Sequence, residues 1–264
     1  MSNKKVLYEE MIPEEFAKCI QEVPVAYLPL GTLEWHSFHL PLGADGIQAQ
    51  GVFKKIAERV GGIVLPMLFL GPDSETEKDG HMYYGMDGYS FEEGCEQQLA
   101  GSAYHIKEDL FAQILETIIE NLVRAGFKMV IAHGHGPSTH LYENKRKYYE
   151  EKYGIVTATL WELGIKGDDG IQTDHAATNE TILTMALRPE LVDISKLPKE
   201  GTPVSVWGPD PRVFATKEYG EKVIADNVDM ICEHLVPIIN ELPKPVIDMN
   251  YHSVKSMLRD KVEY

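Results

Sequence analysis

The stretch GTLEWHSFHLPLGAD, residues 31–45, follows directly on the apolar run VPVAYLPL, residues 23–30. It packs four metal-capable side chains, Glu34, His36, His39 and Asp45, into twelve residues. The apolar run reads as a buried strand. Side chains alternate along an extended chain, so Glu34 and His36 point the same way from its end. They could bind one ion or two neighbouring ones. Pro41 and Gly43 then turn the chain. Asp45 opens a segment to Val60 in which Ile47, Val52, Phe53, Ile56 and Val60 recur near a 3.6-residue period. That segment is predicted as a helix with Asp45 at its positive N-terminal end. Taken singly, Glu34 and Asp45 are equally well explained as solvated loop acids, and His36 and His39 as packing against Trp35 or Phe38. Taken together, oxygen and imidazole donors at this spacing suit zinc or manganese. Grouping them unpaired would cost like-charge repulsion.

Working outward, Gly61-Gly62 stops the helix and residues 63–70 read as a second buried strand. Upstream, residues 12–21 predict a short helix with Pro13 in its first turn. Downstream, residues 71–104 are rich in acids and glycines, with His81, Tyr83, Tyr84 and Tyr89 interspersed. Connections beyond about 12–15 residues are uncommon, and the aromatics point to a packed lid or an oligomer contact rather than a disordered excursion. Residues 107–125 predict an amphipathic helix burying Leu110, Phe111, Ile114, Leu115, Ile118, Ile119 and Leu122, ended by Gly126. A third strand, 128–132, runs into His133-Gly-His135-Gly-Pro137-Ser138, followed by a helix over 139–154 and a strand over 155–160. Strands alternating with helices predict one α/β domain over 1–264, a mostly parallel sheet covered on both faces. Its functional groups belong in loops beyond the strands' carboxyl ends. Both histidine-rich stretches fall at such ends.

His133 and His135 are again two apart on extended chain, so one could be a ligand and the other a partner behind it. Residues 174–187 predict a helix capped by Thr173 or Asp174. His175 and Glu180 are five apart, about 140° around a helix, and share a site only if that site lies off the helix's first turns. Capping alone would also place Asp174 and Glu180 there. A last helix is predicted from about Thr216 to Glu241, burying Val223, Ile224, Val228, Ile231, Leu235 and Ile238.

Acids outnumber bases 41 to 25, a formal charge of -16, and no basic cluster exceeds Lys145-Arg146-Lys147. A phosphate backbone or an anionic bilayer would be repelled, which sets nucleic acid and membrane partners aside. No apolar run approaches the roughly 20 residues of a membrane helix and the N-terminus lacks an apolar signal core, so a cytoplasmic location is expected. Cys19, Cys95 and Cys232 are odd in number and far apart, as expected of reduced structural thiols. Phosphate-loop, Gly-x-Ser-x-Gly and dinucleotide signatures are absent.

Four ordered motifs resemble the creatininase (creatinine amidohydrolase) family. The run 31–45 is similar to that family's Gly-Ser-x-Glu-Gln-His-Gly-x-His-Leu-Pro and following Thr-Asp. Val130 to Ser138 resembles its strand ending Asn-Gly-His-Gly-Gly-Asn. Asp174-His175-Ala-Ala-Thr-Asn-Glu180-Thr resembles Asp-x-His-Ala-Gly-x-x-Glu-Thr-Ser. Gly208-Pro-Asp-Pro211 with Ala215 to Gly220 resembles the Gly-Asp-Pro and Ala-Thr segments before the last helix.

The resemblance implies a three-layer α/β/α sandwich with two divalent ions per chain, zinc or manganese, in a homo-oligomer that is often hexameric. By motif position Glu34, His36, Asp45 and His135 fall on the metal ligands, with Asp45 bridging. His175 falls on the acid/base histidine. Creatininase itself has a ligand glutamate where this chain has Pro137, so another acid must complete the shell, and Glu180 is assigned to it. Trp35, Ser37, His133, Pro137, Ser138 and Ala177 depart from the usual motif around the substrate. The implied activity is hydrolysis of a small amide, lactam or formamide, not of creatinine itself. Ring opening of a cyclic polyol ketone and metal binding without turnover are the alternatives. Two ions would lower the pKa of a shared water from 15.7 towards about 7. His175, with an ordinary pKa near about 6.5, could carry the proton to the leaving nitrogen.

Overall fold

A computed structural model describes residues 5–88 and 97–247; Tyr89 and Cys95 lie outside the described residues. Its centre is a four-stranded, wholly parallel sheet in the order β2-β1-β5-β6. These strands are β1 (Val25–Leu30), β2 (Ile63–Val64), β5 (Met129–Gly134) and β6 (Val156–Ala158). Helices cover both faces, which makes the chain an α/β sandwich. Every residue of β1 and β5 is buried, as parallel strands between two helical layers require. Alternate β1 side chains divide between two cores. Val25 and Tyr27 pack with α2 (Ala44–Val60), α6 (Thr178–Leu187) and α8 (Lys217–Glu241). Ala26, Leu28 and Leu30 pack with α1 (Pro13–Glu22), α3 (Glu108–Ala125) and α4 (Gly136–Tyr153).

Several elements differ from their sequence expectation for local reasons. The predicted strand 63–70 is regular only over β2, because Pro66 brings no N–H to a ladder. Pairing to β1 nevertheless continues on both sides of it, through Leu65 N–H to Tyr27 O (2.8 Å) and Leu68 N–H to Pro29 O (3.0 Å). The helix predicted from 174 begins instead at Thr178. Residues 174–177 form a loop with Ala176 at φ +50. Asp174 still caps the helix from that loop, its carboxylate accepting the Asn179 and Glu180 N–H groups at 2.7 and 3.1 Å. In α3 the periodicity holds but its edge is misjudged, since Leu110 stands exposed while Phe111, Leu115, Ile119 and Leu122 are buried.

The stretch 71–104 is largely built. β3 (Glu75–Lys78) and β4 (His81–Tyr84) form an antiparallel hairpin, in register Glu75↔Tyr84 to Lys78↔His81. Its two-residue turn is Asp79-Gly80, both at positive φ, the sequence that tight hairpin turns favour. The hairpin and the segment after it are tied to the sheet end by Ala103 N–H to Leu33 O (2.7 Å) and Ile106 N–H to Gly71 O (3.1 Å). α5 (Leu160–Leu163) and α7 (Pro211–Phe214) are single turns after β6 and before α8.

The α3 face yields a paired expectation. Leu115→Ala, at a fully buried position, should lower unfolding free energy by about 2–5 kcal/mol, while Leu110→Ala should stay within about 0.5 kcal/mol. Urea unfolding of both variants reads the difference, and equal losses would contradict this packing.

Candidate metal centre

Two adjacent strand ends and two helix starts converge on one rim. Glu34 and His36 follow β1, Asp45 lies in the first turn of α2, His135 is the cap of α4 immediately after β5, and Glu180 lies in the first turn of α6. The approach of β5 to β1 depends on Gly134. Its φ is +145, and a Cβ there would lie 1.7 Å from Leu30 O. All five side chains are buried, none more than 4% exposed.

The geometry divides them into two groups that share Asp45. His36 Nε2 is 3.3 Å from Asp45 Oδ1 and 3.5 Å from Glu180 Oε2. His135 Nδ1 is 3.2 Å from Asp45 Oδ2 and 3.4 Å from Glu34 Oε2. The opposite edge of each ring meets a carbonyl: His36 Nδ1 lies 3.0 Å from Glu34 O and His135 Nε2 lies 3.1 Å from Pro72 O. A carbonyl accepts only, so each outer nitrogen donates its proton and the inner one can offer a lone pair to an ion. Candidate ligand atoms of His36, Asp45 and Glu180 all lie within 4.8 Å of one another. Carboxylates and imidazoles arranged in this way fit a pair of divalent ions of the zinc or manganese kind.

Electrostatics without an ion show the same crowding. Burial would push the His36 imidazolium down, but Asp45, Glu180 and Glu34 more than offset it and carry it up to about 10. His135 is likewise raised against burial by Asp45 and Glu34. Burial opposes ionisation of Glu34, yet the neighbouring His175, His135 and His36 draw it down to about 2. Asp45 is held well below its usual range by His36 and His135 in spite of burial. Glu180 moves the other way, raised by burial and by Asp45 and Asp174. Protons on the two histidines thus take the place that a cation would fill.

His175 stands beside this pair, its ring stacked on His36 with centroids 4.4 Å apart. Its backbone pairs with Trp207 in both directions at 2.9 Å, and its Nε2 lies 3.0 Å from Trp35 O. Nδ1 is then the unprotonated nitrogen of the neutral ring, and burial lowers the ring's pKa. A cleft of about 700 Å³ opens over the site, with Met86, Trp161 and Trp207 among its apolar walls and Ser74, His140, Gln172, Thr173 and Asp174 among its polar ones.

His39 and His133 are not gathered into either group. His39 Nε2 lies 2.8 Å from Thr181 Oγ1, and burial brings its pKa down to about 4. His133 packs edge-on against Trp161, centroids 4.9 Å apart, and burial takes it to about 3. The acid that motif reasoning overlooks is Asp73, whose carboxylate groups with Glu34 and His135. Burial and then Glu34 raise its pKa to about 7. Its clue in the sequence is its place just after the apolar run 63–70, at a third strand end.

A wholly parallel sheet with acids and histidines gathered at its carboxyl rim defines an α/β enzyme with a metal-type site. A profile of the creatinine amidohydrolase (Creatininase) family matches residues 9–235, and the chain belongs to that family. Its members are metal-dependent amidohydrolases acting on C–N bonds. Creatinine amidohydrolase of Pseudomonas putida is 26% identical over 243 residues, covering 79% of this chain and 84% of its own. A crystal structure of creatinine amidohydrolase superposes with TM-score 0.66 at 21% identity, covering 89% of this chain and 98% of that one. A manganese form of creatininase gives TM-score 0.62 at 22% identity, covering 89% and 99%.

Because Glu180 is the second carboxylate facing His36, Glu180→Gln should leave the far-ultraviolet circular dichroism unchanged and reduce bound metal by about one ion per chain. Elemental analysis after zinc or manganese reconstitution gives the number, and undiminished occupancy in the variant would remove Glu180 from the ligand set.

Proposed function

We propose that this chain is a binuclear amidohydrolase that cleaves a small amide, lactam or formamide other than creatinine. The observation that carries the reading is that His36 with Glu180 and His135 with Glu34 both meet Asp45 beneath an open cleft with His175 at its side. Glu34, Asp45 and His135 would hold one ion, and His36, Asp45 and Glu180 the other, zinc or manganese. Such ions, when bound, acidify water and polarise a carbonyl. The remaining chemistry belongs to the chain. The Trp35 carbonyl fixes the His175 tautomer, leaving Nδ1 to accept a proton from the attacking water and return it to the leaving nitrogen. Trp161, Trp207 and Met86 supply apolar surface for a small flat substrate and shield the reacting carbonyl from bulk water. The net charge of -16 favours neutral or cationic substrates.

Ser74, Gln172, Thr173 and Asp174 also line the cleft and would suit a hydroxyl-rich substrate. That favours ring opening of a cyclic polyol ketone as the second reading. A panel of amides, lactams, formamides and cyclic polyol ketones, assayed with each metal, separates the two. Tight metal binding with no turnover on either set would instead favour a binding protein.

The proposal extends to the rest of the chain as a single domain, cytoplasmic and homo-oligomeric as in a hexamer, with the hairpin region as lid or subunit contact. Exposed Phe38, Trp207, Val213 and Phe214 supply apolar surface for such contacts. Among the described residues no helix is long and apolar enough to cross a membrane.

His175→Ala should lower turnover by about 10²–10⁴ while metal content stays at the wild-type value. A histidine that only packed would leave turnover nearly intact, and a ligand would take metal with it, so rate and stoichiometry measured together discriminate the three roles.

A further inference from the structure

We infer that Asp73 supplies a further carboxylate to the ion assigned to Glu34, Asp45 and His135, so that one metal ligand comes from the loop joining β2 to the β3–β4 hairpin. The inference rests on the binuclear reading and goes beyond it, because neither the strand-end motifs nor the helix starts contain this residue. The Asp73 side chain is only 5% exposed. Its Oδ1 accepts the Ser74 N–H at 2.8 Å, while the equally buried Oδ2 has no hydrogen-bond partner. Oδ2 lies against the outer edge of the His135 ring, the edge that also meets Pro72 O. Candidate ligand atoms of Asp73, Glu34 and His135 all lie within 4.8 Å of one another, and Oδ2 is 3.8 Å from His135 Nε2. A buried carboxylate oxygen with an open lone pair beside the Glu34 carboxylate is unfavourable unless a proton or a cation completes it.

The surroundings keep the carboxylate there. The preceding carbonyl, of Pro72, takes the His135 ring proton, so the loop that carries Asp73 is hydrogen-bonded to the ligand histidine itself. Behind Asp73, the His105 ring stacks on Tyr84 with centroids 5.1 Å apart and Nδ1 3.8 Å from Oδ2. Gly85, after β4, lies so close that a Cβ added there would fall 2.2 Å from Oδ2. α4 opens with Gly136-Pro137-Ser138 and brings no acid to this side of His135. With Asp73 as ligand, the hairpin that follows it is tethered to the ion, and its mobility depends on metal.

The test compares wild type with Asp73→Asn, a change of one atom that keeps an oxygen to accept the Ser74 N–H and removes the charge. Both are reconstituted with zinc; metal per chain, affinity by chelator competition, and hydrogen exchange over residues 75–84 are measured. We expect two ions in wild type. In the variant we expect one of them to weaken by about 100-fold or more, since even partners behind the ligands are worth 10–100-fold. Zinc should slow exchange over 75–84 in wild type alone. Two ions of unchanged affinity in the variant overturn the assignment and leave the binuclear site standing, which is also what a carboxylate serving only to orient His135 predicts. Fewer than two ions in wild type removes the binuclear reading and this inference with it. Should the variant fail to fold, a crystal structure of zinc-loaded wild type decides: an Asp73 oxygen at about 2.0–2.2 Å from an ion supports the assignment, and one beyond hydrogen-bonding distance of both ions overturns it.

Discussion

Like-charge repulsion at the sheet's carboxyl rim is the constraint on which the rest of the structure depends. Glu34, Asp45, Asp73 and Glu180 are all buried or nearly so within one small volume. At an effective dielectric of about 20, each pair of unit charges at 4 Å costs roughly 4 kcal/mol. Hydrogen bonding of the His36 and His135 protons relieves part of it, and that relief is why both imidazoles titrate far above their ordinary range. A divalent cation relieves more, because it carries two charges and accepts several lone pairs at once. The outer carbonyls of Glu34 and Pro72 matter for this exchange. They hold a proton on the far nitrogen of each ring, so that the near nitrogen can give up its proton to the solvent when an ion arrives.

The fold delivers these groups by bringing chain ends together, not by one local motif. Parallel β1 and β5 end side by side, with Leu30 opposite Gly134. The segment after β2 runs on to reach the same level through the Leu30↔Leu68 bridge. Side chains just past each strand therefore face one rim, the general location of sites in open α/β sheets. α2 and α6 pack together on one face and begin at that rim, which puts Asp45 and Glu180 in their first turns. Gln48 of α2 reinforces the join, donating to Glu180 O at 3.2 Å and Thr184 Oγ1 at 2.9 Å. Moving either helix along its axis would take a carboxylate out of the site.

How much of this could be read from the residues follows from which interactions are local. Parallel strands buried on both faces are continuous apolar runs, and β1 and β5 stood out for that reason. The Glu34/His36 pair was legible because period-two geometry acts within one segment. The start of α6 was not, because Asp174 caps from across a loop and the turn at Ala176 takes a positive φ that no nearby glycine signals. Ser37, at φ +55 where the related motif has glycine, is another such site. Asp73 escaped because its loop is recognisable only once the sheet order is known. In sequence it lies 28 residues past Asp45 and 62 before His135 in a region dense with acids, and its place just after the apolar run 63–70 gains meaning only once that run is seen to end at the rim.

The same repulsion holds the floor of the cleft more tightly than its walls. Glu34, His36, Asp45, His135 and Glu180 are fixed by burial, by charge and by the Glu34 and Pro72 carbonyls, so replacing any one disturbs several others. The cleft walls are not. Trp207 is 68% exposed and held by its backbone exchange with His175, and Met86 and Ser74 lie on the hairpin side. These residues can vary without altering the repulsion that orders the floor of the site. His175 sits at the boundary between the two regimes. Its position follows from the Trp207 pairing and the Trp35 carbonyl, both on the side of the cleft walls, while its ring stacks on His36 in the floor. A change in the wall that shifted Trp207 would therefore move the His175 ring relative to His36, so the wall and the floor of the cleft are coupled through His175.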